Sequence, residues 1–92
     1  MIQSFKCRDT QALFEAKQLR RFNAFVSVAD RKLAQLDAAQ TLDFLKAPPG
    51  NRSEALRGDR QGQHSIRVND QRRVCFSWTD ADPEDVEIVD YH

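Results

Sequence analysis

The run Ser65-Ile66-Arg67-Val68-Asn69-Asp70-Gln71-Arg72-Arg73-Val74-Cys75-Phe76-Ser77-Trp78 decides the fold. On both sides of Asn69-Asp70, apolar and polar residues alternate, and a period of two marks a half-buried strand. Asn and Asp side chains bond nearby backbone and favour turns, so the run predicts an antiparallel hairpin. Downstream, Thr79-Asp80-Ala81-Asp82-Pro83 predicts a second turn, leading into a strand Asp85-Val86-Glu87-Ile88-Val89-Asp90. Upstream, Gly58-Asp59-Arg60-Gln61-Gly62 predicts a hairpin loop that reaches back to a strand near Ala55 to Arg57.

Before Pro48-Pro49-Gly50, which cannot continue a helix, the period changes to that of a helix. Phe22, Phe25, Val26, Ala29, Leu33 and Leu36 trace one helical stripe, with Arg31, Lys32, Gln35 and Asp37 mostly off it. Asp9 or Thr10 is predicted to cap a shorter helix through Leu13, Phe14 and Lys17 by accepting from its first-turn N–H groups. Ile2 to Lys6 alternates and reads as a short strand, and Thr41 to Leu45 as one helical turn. The expected fold is α+β: an N-terminal strand, a helical pair, then an antiparallel meander with the helices on one face, in a single domain over residues 1–92.

Composition agrees with that class. Of 92 residues, 40% are hydrophobic and 30% charged, which excludes collagen-like, coiled-coil and low-complexity chains. No apolar run approaches the ~20 residues that cross a bilayer. The start, Met1-Ile2-Gln3-Ser4-Phe5-Lys6-Cys7, has no apolar core of a secretory signal. A cytoplasmic protein with no membrane partner and two reduced thiols, Cys7 and Cys75, is therefore expected. Two cysteines and two histidines far apart in sequence form no zinc signature, so neither metal nor cofactor is expected.

Charge is balanced overall, with 14 basic and 14 acidic residues, but not along the chain. From Lys46 to Arg73 seven basic residues face three acids, whereas Asp80 to His92 holds six acids and no Lys or Arg. A local basic patch suits an anionic polymer, which responds to local potential, although cross-strand ion pairs on a solvated surface would look the same. Strand parity sorts the faces further. Val74, Phe76, Trp78, Ile66, Val68, Val86 and Ile88 turn toward the helices. Arg73, Cys75, Ser77, Ser65, Arg67, Glu87, Val89 and Tyr91 share the face left open, joined by Arg57 if Leu56 is buried. Strict alternation turns Asp90 toward the core, unless the strand end bends.

Arg, Tyr, His and a carboxylate are the parts of a metal-free ribonuclease. A base takes the 2′-hydroxyl proton, that oxygen attacks the adjacent phosphorus, an acid protonates the leaving 5′-oxygen, and a cation stabilises the phosphorane. Arg73 fits the last role because its planar fork can bind two phosphate oxygens. Tyr91 could stack on a base. His92 could be the acid, favoured as imidazolium by its own α-carboxylate and Asp90. Glu54 could be the base, with Arg57 and Arg60 on flanking phosphates. The ordinary alternatives are a frayed terminal His92, a packing Tyr91, a solvated Glu54 whose parity matches Leu56, and an exposed hairpin charge at Arg73. His64 alternates with Ile66 and Val68 and reads as structural. Cys75 lacks a His/Asp constellation and reads as a small filler.

The segment Glu54-Ala55-Leu56-Arg57-Gly58-Asp59-Arg60 through Ser65-Ile66-Arg67-Val68, followed by Arg72-Arg73-Val74-Cys75-Phe76, resembles the core of RelE/ParE-superfamily toxins. The ending Asp90-Tyr91-His92 is similar to the terminus of the HigB branch, and the match covers essentially the whole chain. The resemblance implies a RelE-like fold and the toxin of a bacterial type II toxin–antitoxin pair. Such toxins cut mRNA in the A site of the 70S ribosome, against its rRNA. A helix-turn-helix antitoxin restrains them and alone brings them to operator DNA. By resemblance Arg73 is the phosphate-stabilising arginine, Asp90, Tyr91 and His92 are the terminal catalytic group, and Arg57 and Arg60 are basic positions. Several HigB proteins carry His where this chain has Glu54, while YoeB-like toxins use a Glu there as base. The assignment of acid and base between Glu54 and His92 therefore stays open. Arg67, Lys17, Arg20 and Arg21 are further candidates to meet RNA. The alternative function is a non-catalytic, ParE-like inhibitor of DNA gyrase on the same fold. Tyr91, His92 and Arg73 favour the nuclease, and a blander RNA-binding or adaptor module remains a third reading.

Overall fold

The computed structural model describes residues 1–16, 26–47, 49–80 and 82–90. Helix α1 runs Arg8–Ala16 and α2 runs Val26–Ala38. Two short 3-10 turns, Asp43–Lys46 and Pro49–Asn51, carry the chain to strands β1 (Glu54–Ala55), β2 (Gln63–Arg67), β3 (Arg72–Thr79) and β4 (Asp82–Asp90). The strands form one antiparallel sheet in the order β1-β2-β3-β4, the meander that the alternation predicts. Both helices lie against β4. Leu13 of α1, Ala29, Leu33 and Leu36 of α2, and Ile66, Val74, Phe76 and Val86 of the sheet are all fully buried in one apolar cluster. The α2 stripe therefore does what its spacing predicts from Ala29 onward. Phe22, Phe25 and the end of the first predicted helix at Lys17 lie outside the described residues.

The β2–β3 turn is built as its residues dictate. Asn69 Oδ1 accepts from the N–H groups of Gln71 and Arg72, both at 2.9 Å, an Asx turn that satisfies donors released from the ladder. His64 lies opposite Phe76 and stacks on it with ring centroids 6.0 Å apart, a packing role.

Two expectations need correction. The N-terminal strand is reduced to one parallel bridge, Phe5 with Val86. The cause is a bulge in β4, where three steps from Glu84 to Glu87 oppose two from Ser77 to Cys75. Asp85 takes a left-handed φ of 52° at that point, and its N–H is met by Ser4 Oγ at 2.9 Å instead of a backbone carbonyl. A ladder interrupted this way cannot extend. Nor does Thr10 cap α1, because the helix begins at Arg8 and the Thr10 hydroxyl is committed to another element. Thr10 sits one turn before Leu13 on the inward stripe. Fully buried, its hydroxyl accepts from the Ile88 N–H of β4 at 3.0 Å. Ser4 and Thr10 thus close the outer edge of β4, which would otherwise offer unpaired N–H groups.

Candidate active site

Arg73 lies on the sheet face turned away from the helices, opposite Arg67 on β2 and Val89 on β4. Only 11% of its side chain is exposed. Its Nε donates to Ser65 Oγ at 2.7 Å. Its Nη2 donates to the Arg52 carbonyl and, at 3.4 Å, to the Ser65 carbonyl. Glu54 Oε1 stands 3.6 Å from the same Nη2. The guanidinium therefore stitches together β3, β2 and the turn before β1. Among the described residues no partner engages Nη1, whose two N–H donors are left for a ligand. An arginine held by one side of its fork has already lost much of its rotamer freedom, so binding an anion on the other side costs less ordering.

Glu54 reaches this face because the register sets it opposite Ser65. The sequence parity that grouped Glu54 with the core side fails because β1 is only two residues long. Leu56 beyond it is half-buried and Arg57 exposed with no ion pair among the described residues. Arg60 is engaged otherwise. Its Nη1 donates to Glu87 Oε1 at 2.9 Å and to Gln63 Oε1 at 3.0 Å. Glu87, only 16% exposed, also has Lys6 Nζ at 3.8 Å. Arg67 pairs with Asp70. Asp90 lies opposite Arg72, and the two form an ion pair at 3.2 Å. Arg72 alternates with Val74, so this pair belongs to the helix side of the sheet, whereas Arg73 belongs to the other. Ser65 and Cys75 are fully buried although they share the outward face, so that face is a shallow polar layer over a covered floor. Tyr91, His92, Lys17, Arg20 and Arg21 lie outside the described residues.

The structure thus brings Arg73 and Glu54 together and sets Asp90 beside a different arginine. Sequence reasoning missed Ser65 and Arg52 as the groups that hold Arg73. Ser65 could have been found, because it lies diagonal to Arg73 on the same face of paired strands. A backbone carbonyl such as that of Arg52 leaves no trace in a residue pattern. Chemically, a fixed guanidinium with free donors beside a carboxylate can bind a phosphodiester and stabilise charge that develops on it. Among the described residues, no group of three His, Cys, Asp or Glu could hold a metal, and no helix is long and apolar enough to cross a membrane.

The chain is similar to known proteins. The family model of HigB-like toxins, described as RelE-like toxins of the type II toxin–antitoxin system HigB, matches residues 3–92. Toxin HigB-1 of Vibrio cholerae is 55% identical over 51 residues, which make up 55% of this chain and 54% of that protein. The match thus spans about half the length of that relative.

Proposed function

Because this chain belongs to the HigB-like family of RelE-like toxins of type II toxin–antitoxin systems, we propose that it is a ribosome-dependent endoribonuclease that stops translation by cutting mRNA in the A site. The supporting observation is the state of Arg73: nearly buried, fixed through Nε and Nη2, and unengaged at Nη1 among the described residues. In the proposed reaction a base removes the 2′-hydroxyl proton and the resulting oxyanion attacks the neighbouring phosphorus. The bond from phosphorus to the 5′-oxygen breaks, and an acid protonates the departing oxygen. Arg73 binds the non-bridging oxygens, whose negative charge grows in the transition state. Glu54, beside Arg73, is the proposed base and His92 the proposed acid. Tyr91 stacks on a base of the message, by the alternation that assigns it to the Arg73 face. Asp90, paired with Arg72, holds the end of β4 against β3 and so bears on where Tyr91 and His92 emerge. Arg57 supplies a free cation for a flanking phosphate. Arg60 does so only by leaving Glu87. Arg67, Lys17, Arg20 and Arg21 are proposed contacts to ribosomal RNA. A helix-turn-helix antitoxin is the proposed partner, and the cytoplasm the proposed compartment.

The test incubates a defined message with the protein, with and without programmed ribosomes, and determines the ends of the fragments. Cuts at A-site codons only on ribosomes, with 2′,3′-cyclic phosphate upstream and 5′-hydroxyl downstream, are expected. Intact message in cells whose replication has stopped would refute the reading in favour of a gyrase-directed toxin.

A further inference from the structure

Arg52 is one of three described non-glycine residues with left-handed backbone, at φ 44°. Its carbonyl is the acceptor that fixes Arg73 Nη2. Left-handed φ is disfavoured for a residue with a Cβ and persists only where surrounding structure imposes it. The preceding residue is firmly anchored. The Asn51 side chain is fully buried and bonded on every side. Its Nδ2 donates to the Leu45 carbonyl at 3.0 Å, to Gln35 Oε1 at 3.1 Å and, more weakly, to the Ala47 carbonyl at 3.4 Å. Its Oδ1 accepts from Lys32 Nζ. This pattern fixes the amide's orientation, nitrogen toward carbonyls and oxygen toward an ammonium. Gln35 in turn donates to the Ala47 carbonyl, and the Arg52 N–H closes the turn on Pro49 at 3.1 Å. A continuous path therefore runs from α2 through Asn51 to the Arg52 backbone and on to the Arg73 guanidinium.

We propose that Asn51 is a positioning residue: a buried peg that locks the turn 49–52 to α2, so that the Arg52 carbonyl holds Arg73 with its free edge presented to the scissile phosphate. The proposal rests on the nuclease reading for its consequence, but the anchoring itself does not. Asn51 touches no substrate and acts only through the Arg52 backbone. Lys32, whose ammonium is disfavoured by burial and by Arg31 and Arg67, donates a hydrogen bond to Asn51 Oδ1.

The experiment reads the Arg73 Nη2–H resonances by low-temperature NMR in the free protein and single-turnover cleavage on programmed ribosomes. In wild type one Nη2–H resonance is expected to be dispersed and slow to exchange, because the Arg52 carbonyl accepts it. Asn51→Ala is expected to speed its exchange about tenfold or more and to slow cleavage by about tenfold, the equivalent of one net hydrogen bond, with the ribosome concentration for half-maximal rate unchanged. Arg52→Gly retains the carbonyl and suits the backbone, so it is expected to keep the resonance. If Asn51→Ala fails to fold, Lys32→Met, which removes one of the Asn51 partners, is expected to give the same change in smaller measure. A folded Asn51→Ala or Lys32→Met with the wild-type Arg73 resonance overturns the proposal. So does a loosened Arg73 with cleavage undiminished. Wild-type protein that never cleaves, together with a resonance lost in Asn51→Ala, overturns the nuclease reading and leaves the anchor standing.

Discussion

Replacing Thr10 by valine takes one oxygen from the interior and keeps the branched shape of the side chain. That oxygen is the acceptor for the Ile88 N–H at 3.0 Å, in a place with no solvent access at Thr10. Without it a part-buried donor on the edge of β4 loses its partner, a loss of up to about 1–3 kcal/mol. Thr10→Ser keeps the acceptor and loses only a methyl group, about 0.8 kcal/mol. Valine should therefore be the more damaging of the two, although it is the more apolar. For a chain of this size each kcal/mol lowers the melting temperature by roughly 4–8 °C, and urea titration should show an unchanged slope with a lower midpoint. The functional consequence follows from place: Thr10 clamps β4 two residues before Asp90, so loosening it frees the strand that leads into Tyr91 and His92. Valine tolerated within about 0.5 kcal/mol, or serine worse than valine, would refute the view that this hydrogen bond, and not shape, holds α1 to β4.

Three further outcomes are expected. Leu33→Ala removes a fully buried side chain from the centre of the cluster and should cost about 2–5 kcal/mol in chemical denaturation; a change of a few tenths would mean that the α2 stripe does not pack as described. The Lys32 side chain should lose its proton below the ordinary lysine value of 10.5, chiefly because of burial. The folded state then holds fewer protons than the unfolded chain across that interval, so stability should rise with pH there; an NMR titration placing Lys32 at or above the ordinary value would contradict it. Tyr91→Ala should slow cleavage without lowering the melting temperature, and a collapse of the melting transition would show that Tyr91 serves packing instead.

The parts legible in the sequence are those governed by a period. Ala29, Leu33 and Leu36 on one stripe, and Val74 and Phe76 against Cys75 and Arg73, follow from 3.6 and 2 alone, and the helices-on-one-face arrangement follows with them. Asn69 was legible because turn chemistry is local. What was hidden depends on single residues that break a period. Asp85 at φ 52° cuts short the N-terminal pairing, and nothing in Pro83-Glu84-Asp85 announces a bulge. Thr10 has the chemistry of a cap, and only its place on the inward stripe makes it an acceptor for another strand. At the site, alternation placed Arg73 on the open face, but the two-residue length of β1 decided which way Glu54 faces. That Arg60 is engaged by Glu87 and that Asn51 anchors the turn depends on long-range contacts that composition does not encode.

The most direct test is the single-turnover rate of A-site cleavage for Arg73→Ala against wild type, with the ribosome saturating and the fold checked by its melting transition. A guanidinium that stabilises developing phosphorane charge is worth about 10²–10³-fold, and a fall of that size in a folded protein is the predicted result. A folded Arg73→Ala that still cuts within a few-fold of the wild-type rate would contradict the account.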